Sequence, residues 1–134
     1  MSQYFGHTHN DAVELFYELD SNGVPLKRAT SVAFIAPSVT TYQEKTALFH
    51  ISNPAYNIYT LDGAYEGSSF NTLDFTTMYL DLKDANQRNI TEWKVEYDTK
   101  TEYGLDSLLP RDFDNLINKM LSDLYSPLTE KYIK

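Results

Sequence analysis

The chain has 134 residues, a formal net charge of -8, 11 tyrosines and no cysteine. That length suits one domain with its own hydrophobic core, and the lack of cysteine excludes disulfide frameworks, thiolate nucleophiles, zinc ribbons and iron-sulfur sites. The acidic balance opposes the mode of nucleic-acid binding that needs clustered Lys and Arg.

The first eleven residues, "MSQYFGHTHND", are expected to form an N-terminal arm, with one α+β domain over 12–134. They contain no basic or long apolar run of the kind a secretory leader carries. No apolar stretch in the chain approaches the roughly 20 residues of a membrane span. The expected location is the cytoplasm of the producing or infected cell, or a particle assembled there, with no membrane contact.

From Ala12, "AVELFYEL" alternates as a half-buried strand, with Val13, Leu15, Tyr17 and Leu19 on one side. "DSNG" then predicts a hairpin into a second strand over Val24 to Ala36, with Pro25 delaying its start or placing it at an edge. "ALFHIS" and "AYNIYTL" read as the next two strands, separated by the turn pair Asn53-Pro54. "FTTMYLDL" and "ITEWKVEY" read as a second hairpin around "KDANQRN", with Trp93, Val95 and Tyr97 inward. Asn89-Ile90-Thr91 fits the N-glycosylation pattern, but without a leader it reads most simply as the start of that last strand.

Beyond Gly104 the period changes. Phe113, Leu116, Ile117, Met120, Leu121 and Leu124 predict an apolar helical stripe beginning near Pro110, and Ser126-Pro127 caps one further turn. The expected fold is α+β: about six mainly antiparallel strands followed by a C-terminal amphipathic helix packed on the sheet.

Few residues carry a chemical pattern. In an extended chain His7, His9 and Asp11 point the same way. The string is similar to the H-x-H-x-D-H signature of metallo-β-lactamase-type hydrolases and to the H-x-H of amidohydrolases, a resemblance that implies a metal on these three residues. Ala12 stands where the first family carries a histidine, and only His50 remains to add another imidazole. The favoured reading is therefore a polar arm with no metal and no cofactor. "ELDSNG" resembles the opening of an EF-hand loop, yet Ala29 occupies the position of the closing carboxylate, and a hairpin turn explains the same residues. No P-loop, nucleophile elbow or H-E-x-x-H helix occurs, and no spacing selects one pair of carboxylates, such as Asp74 and Asp81, for acid-base work.

Between Asp62 and Asp123 lie 13 acidic and 6 basic residues, a net of -7. Tyrosines among carboxylates suit contact with a basic protein surface. The expected function is thus a small, acidic, non-enzymatic protein-binding module, an inhibitor docking on a partner's basic, nucleic-acid-binding surface. Its contact candidates are Tyr59, Tyr79, Glu92, Glu96, Tyr97, Asp98, Asp112 and Asp114. Phage anti-restriction and anti-CRISPR inhibitors and bacterial immunity proteins are similar in size and charge. The alternatives are a structural subunit of a homo-oligomeric assembly, such as a phage particle component, and a carbohydrate-binding β domain.

Overall fold

The computed structural model describes residues 2–41 and 53–133. Within them the fold is α+β, with six strands, mostly antiparallel, in two sheets. The first sheet has the order β1-β3-β2, formed by β1 (Ser2–Phe5), β2 (Ala12–Leu19) and β3 (Pro25–Ile35). The second has the order β4-β5-β6, formed by β4 (Ala55–Leu61), β5 (Thr72–Leu80) and β6 (Trp93–Asp98). The strand expected over "ALFHIS", with His50, lies outside the described residues.

The hairpin at Asp20–Gly23 forms as its residues dictate. The Asp20 carboxylate accepts from the backbone N–H of Asn22 and Val24, each at 2.8 Å, and Gly23 takes the positive φ of 79°. The N-terminal segment is more than an arm. Ser2–Phe5 runs parallel to β3, pairing Ser2 with Val32 through Phe5 with Ile35, and the Tyr4 hydroxyl meets Thr72 Oγ1 on the other sheet at 2.6 Å.

The connection between β5 and β6 is a helix, α1 (Leu82–Arg88), where a plain hairpin loop was expected. The Asp81 side chain caps its N-terminus by accepting from Asp84 N–H, and Asn89 closes it in the left-handed region at φ 55°. The strand therefore starts at Trp93, and Asn89 ends a helix instead of opening a strand.

The inward placement of Trp93 and Val95 is also corrected. Thr77 pairs with Tyr97 but Met78 pairs with Val95, so Glu96 is an extra residue on β6. Such a bulge sends the residues on its two sides to opposite faces. Tyr97 points inward, while Val95 is 56% and Trp93 36% exposed.

Three helices follow: α2 (Thr99–Tyr103), α3 (Pro110–Ser122) and α4 (Pro127–Ile133). Phe113, Leu116 and Met120 of α3 share one buried cluster with Val32 and Phe34 of β3, Phe75 of β5 and Leu108. Phe34 is the hub, its ring centroid within 6 Å of those of Tyr4, Tyr59, Phe75 and Phe113. Leu121 and Leu124, expected in the apolar stripe, are exposed, because the helix ends at Ser122 and only its first three turns face the core. Ser126 caps α4 by accepting from Thr129 N–H at 3.3 Å.

Candidate functional site

Asp11 sits where the two sheets meet. Its carboxylate accepts from Asn57 Nδ2 at 3.0 Å, Thr77 Oγ1 at 3.1 Å and the Tyr97 hydroxyl. Asn57 on β4, Thr77 on β5 and Tyr97 on β6 come from neighbouring strands of the second sheet, whereas Asp11 precedes β2 of the first. One carboxylate thus joins the layers, accepting from three neutral donors. Burial, reinforced by the Asp11 charge, pushes the Tyr97 hydroxyl far above its usual titration range.

Two cavities open beside Asp11. The first, about 200 Å³, has the buried Phe75, Thr99 and Phe113 in its wall and the exposed Glu96 and Lys131 at its rim. The Thr99 hydroxyl is buried without a hydrogen-bond partner. Lys131 is held by Glu102 at 2.7 Å. Desolvation of the Glu96 carboxyl, followed by the nearby Asp11 charge, raises its pKa. The second cavity, about 670 Å³ and more polar, is lined by His9, Asn10, Asp11, Asn53, Tyr79 and Glu96 among others.

His7, His9 and Asp11, the residues that the metal-site resemblance singled out, are not aligned side by side. His7 and His9 have φ values of 86° and 63°, so the chain is not extended there and the alternation that would align three side chains is lost. Among the described residues no group of three His, Cys, Asp or Glu is placed to hold a metal ion. His7 is exposed and His9 half-buried at the edge of the larger cavity.

The predicted contact residues are scattered. Tyr59 packs among the core rings and accepts from Asn57 at 3.2 Å, and Tyr97 also points inward. Tyr79 and Glu96 reach the larger cavity together. Glu92 pairs with Arg88 at 3.1 Å, and Asp98 accepts from Thr76. Asp112 is held below the usual carboxylate range, first by Ser107 and then by Arg111, and Asp114 accepts from Tyr17 and Asn118. Sequence reasoning missed Asn57, Thr77 and Thr99. The alternation of β4 and β5 marks Asn57 and Thr77 as inward polar positions, which require partners when buried.

Comparison with known proteins gives this architecture a family. Residues 28–134 match the model of the acid sphingomyelin phosphodiesterase C-terminal region. The chain is similar to sphingomyelin phosphodiesterase of Homo sapiens, 40% identical over 124 residues, covering 92% of this chain and 18% of that protein. The bovine protein of the same name, from Bos taurus, is 40% identical over 122 residues, covering 90% of this chain and 18% of that protein. Acid sphingomyelinase-like phosphodiesterase 3b of Homo sapiens is 29% identical over 131 residues, 98% of this chain and 27% of that protein. The chain therefore spans about a fifth of the length of the first two relatives.

These matches overturn several expectations. A phage-type inhibitor, particle subunit or stand-alone acidic docking module is not what the relatives are, since they are named as phosphodiesterases. The non-enzymatic assignment fails for the same reason, because it rested on missing catalytic motifs in a stretch that matches only part of an enzyme. A cytoplasmic or particle-borne location is overturned as well, since members of the acid sphingomyelinase family are lysosomal or secreted. Charge and size misled here because carboxylates of this fold serve internal bonds, as in the sheet-to-sheet contacts of Asp11, the helix cap of Asp81 and the Ser107–Asp112 pair. With the match extending over residues 28–134, the chain belongs to the acid sphingomyelin phosphodiesterase C-terminal region family.

Proposed function

We propose that this chain serves as the C-terminal region of a sphingomyelin phosphodiesterase, an enzyme that hydrolyses the phosphodiester of a sphingolipid, working in a lysosomal or secreted setting. The observation that carries this reading is the 40% identity over 92% of the chain to a protein named for that activity. The two-sheet core with its helices is a rigid support, and the polar cavity beside His9 and Asp11 is the face at which it meets the reacting centre.

The same reading gives His7 and His9 a role. The alignment with the 3b protein covers 98% of the chain, so it includes both histidines, although they precede the matched C-terminal region. A bound metal ion would supply an activated water for phosphodiester hydrolysis. The exposed His7 and the half-buried His9 would be two members of such a donor set, and the remaining ligands would come from beyond this chain.

The test is hydrolysis of sphingomyelin by the protein isolated from its own cells. Phosphocholine release that is depleted together with this chain by a specific antibody supports the reading. Undiminished release after complete depletion overturns it. Elemental analysis of the same material, with and without the paired substitution of His7 and His9 by Ala, decides the metal role: unchanged metal content removes it.

A further inference from the structure

We infer that Asn89 is an N-glycosylation site. Asn89-Ile90-Thr91 is the single N-x-S/T pattern in the chain, with Ile in the middle position, where proline would block the reaction, and Glu92 after the threonine. The sequence alone gives no reason to use it, because the same three residues can begin a strand. The structure supplies that reason. Asn89 is the residue that closes α1, and residues 86–93 are all exposed. Its backbone N–H is spent on Ala85, but among the described residues its side-chain amide has no hydrogen-bond partner. Among the described residues nothing occupies the nitrogen that would carry the sugar.

The location of the family supplies the second half of the argument, and here the inference rests on the reading above: lysosomal and secreted proteins pass the compartment in which this modification is made. The donor is a lipid-linked oligosaccharide pyrophosphate. Asn89 Nδ2 forms a bond to the anomeric carbon of the first sugar and gives up one proton. The bond from that carbon to the pyrophosphate oxygen breaks, and the lipid pyrophosphate leaves with the electron pair.

The position also says what the glycan covers. It stands four residues before Trp93, the first residue of β6, which is an edge strand in the described sheet. Beside it Ile90 is 53% exposed, and Trp93, itself 36% exposed, stacks edge-on against Tyr56, with ring centroids 4.8 Å apart, on the face of that sheet opposite Tyr97. A bulky hydrophilic group there shields an open strand edge and an apolar face, both of which invite association between chains.

The test uses the protein recovered from its own cells after fractionation, followed by peptide-N-glycosidase treatment and mass spectrometry, beside the variants Asn89→Gln and Thr91→Ala. The expected result is a glycan mass on the peptide around position 89 that the glycosidase removes, leaving Asp at that position, and that is absent from the same peptide in both variants. Both substitutions are at exposed positions, and a circular dichroism spectrum confirms that each variant folds. Lumenal protein whose peptide around position 89 carries no glycan, or a glycan that persists on that peptide in Asn89→Gln, overturns the inference while leaving the location intact. Recovery of the chain only from the cytosol overturns the location and the inference with it.

Discussion

Tyr17 on β2 donates its hydroxyl hydrogen to Asp114 on α3 at 2.7 Å, joining residues 97 positions apart. The bond stands at the outer margin of the contact between the first sheet and the long helix, where both residues are half-buried. Substituting Tyr17→Phe removes the donor and leaves Asp114 with Asn118 Nδ2 at 3.2 Å and with water. The cost is therefore that of one partly solvated bond to a charged acceptor, about 1 kcal/mol. Urea unfolding read by the midpoint at constant slope measures it, and an unchanged midpoint removes Tyr17 from the set of residues that fasten α3.

Phe34 holds a different rank. Its side chain is 1% exposed and touches rings from β1, β4, β5 and α3, so its loss opens a void that four elements must close together. Phe34→Ala is expected to cost about 3–5 kcal/mol, a large share of the roughly 5–15 kcal/mol that holds a domain together. Phe34→Leu keeps most of the volume and is expected to cost much less. Equal losses in the two variants would mean that the aromatic contacts, more than the volume, carry the site.

The residues around Phe34 also mark what the sequence could reveal. The hairpin at Asp20–Gly23 and the helix from Pro110 were legible because each rests on a local device: a turn aspartate with glycine, and a 3.6-residue apolar period behind an N-terminal proline. The strand β6 was legible as a strand, but its faces were not. The extra residue Glu96 reverses the inward side between Val95 and Tyr97, and a bulge is set by the partner strand, which no single sequence displays. The sheet pairing of β1 was hidden for a related reason, since four residues beside a histidine-rich loop show no periodicity of their own. The site was less legible still. His7, His9 and Asp11 were singled out on the assumption of an extended chain, and two left-handed residues break it, while the partners that hold Asp11 come from 46 to 86 positions away. The helix α1 was overlooked despite a readable signal, in Asp81 at its cap and Asn89 at its close.

The buried tyrosines predict an alkaline limit. Burial, then the neighbouring Tyr132, pushes the Tyr103 hydroxyl up to about 12, and burial raises Tyr59, Tyr97 and Tyr132 as well. A folded-state pKa above the unfolded value of 10.0 contributes stability that is fully present below pH 10. That contribution is lost as pH rises through about 12 for Tyr103. Phenolate absorbance is therefore expected to rise in two phases, the second coinciding with loss of the far-ultraviolet helix signal. Tyr103→Phe removes an ionisable group whose hydroxyl makes no hydrogen bond among the described residues, so its unfolding midpoint is expected at higher pH. A midpoint that does not move would assign the alkaline transition to other groups.

Glu96 gives the opposite end of the pH scale. It is the bulged residue of β6, at the rim of the cavity that Asp11, Glu102 and Lys131 also line. Lys131 is engaged by Glu102, so the field on Glu96 is set by the loss of water around its carboxyl and by Asp11, and both raise its pKa above 4.5. The sign follows directly. A carboxyl whose folded-state pKa lies above its unfolded value contributes stability that is fully present below about pH 4.5 and lost as pH rises through the folded-state value. Acidification from neutral pH thus stabilises the fold through this residue. Glu96→Gln fixes the uncharged form and isolates the effect from Asp11 and the histidines, which are common to both proteins. The variant is expected to be the more stable of the two at pH 7, with the difference shrinking to nothing below about pH 4.5. A difference that stays constant across that interval would mean that the Glu96 carboxyl is hydrated like any surface acid, and that the bulge turns it toward solvent instead of toward Asp11.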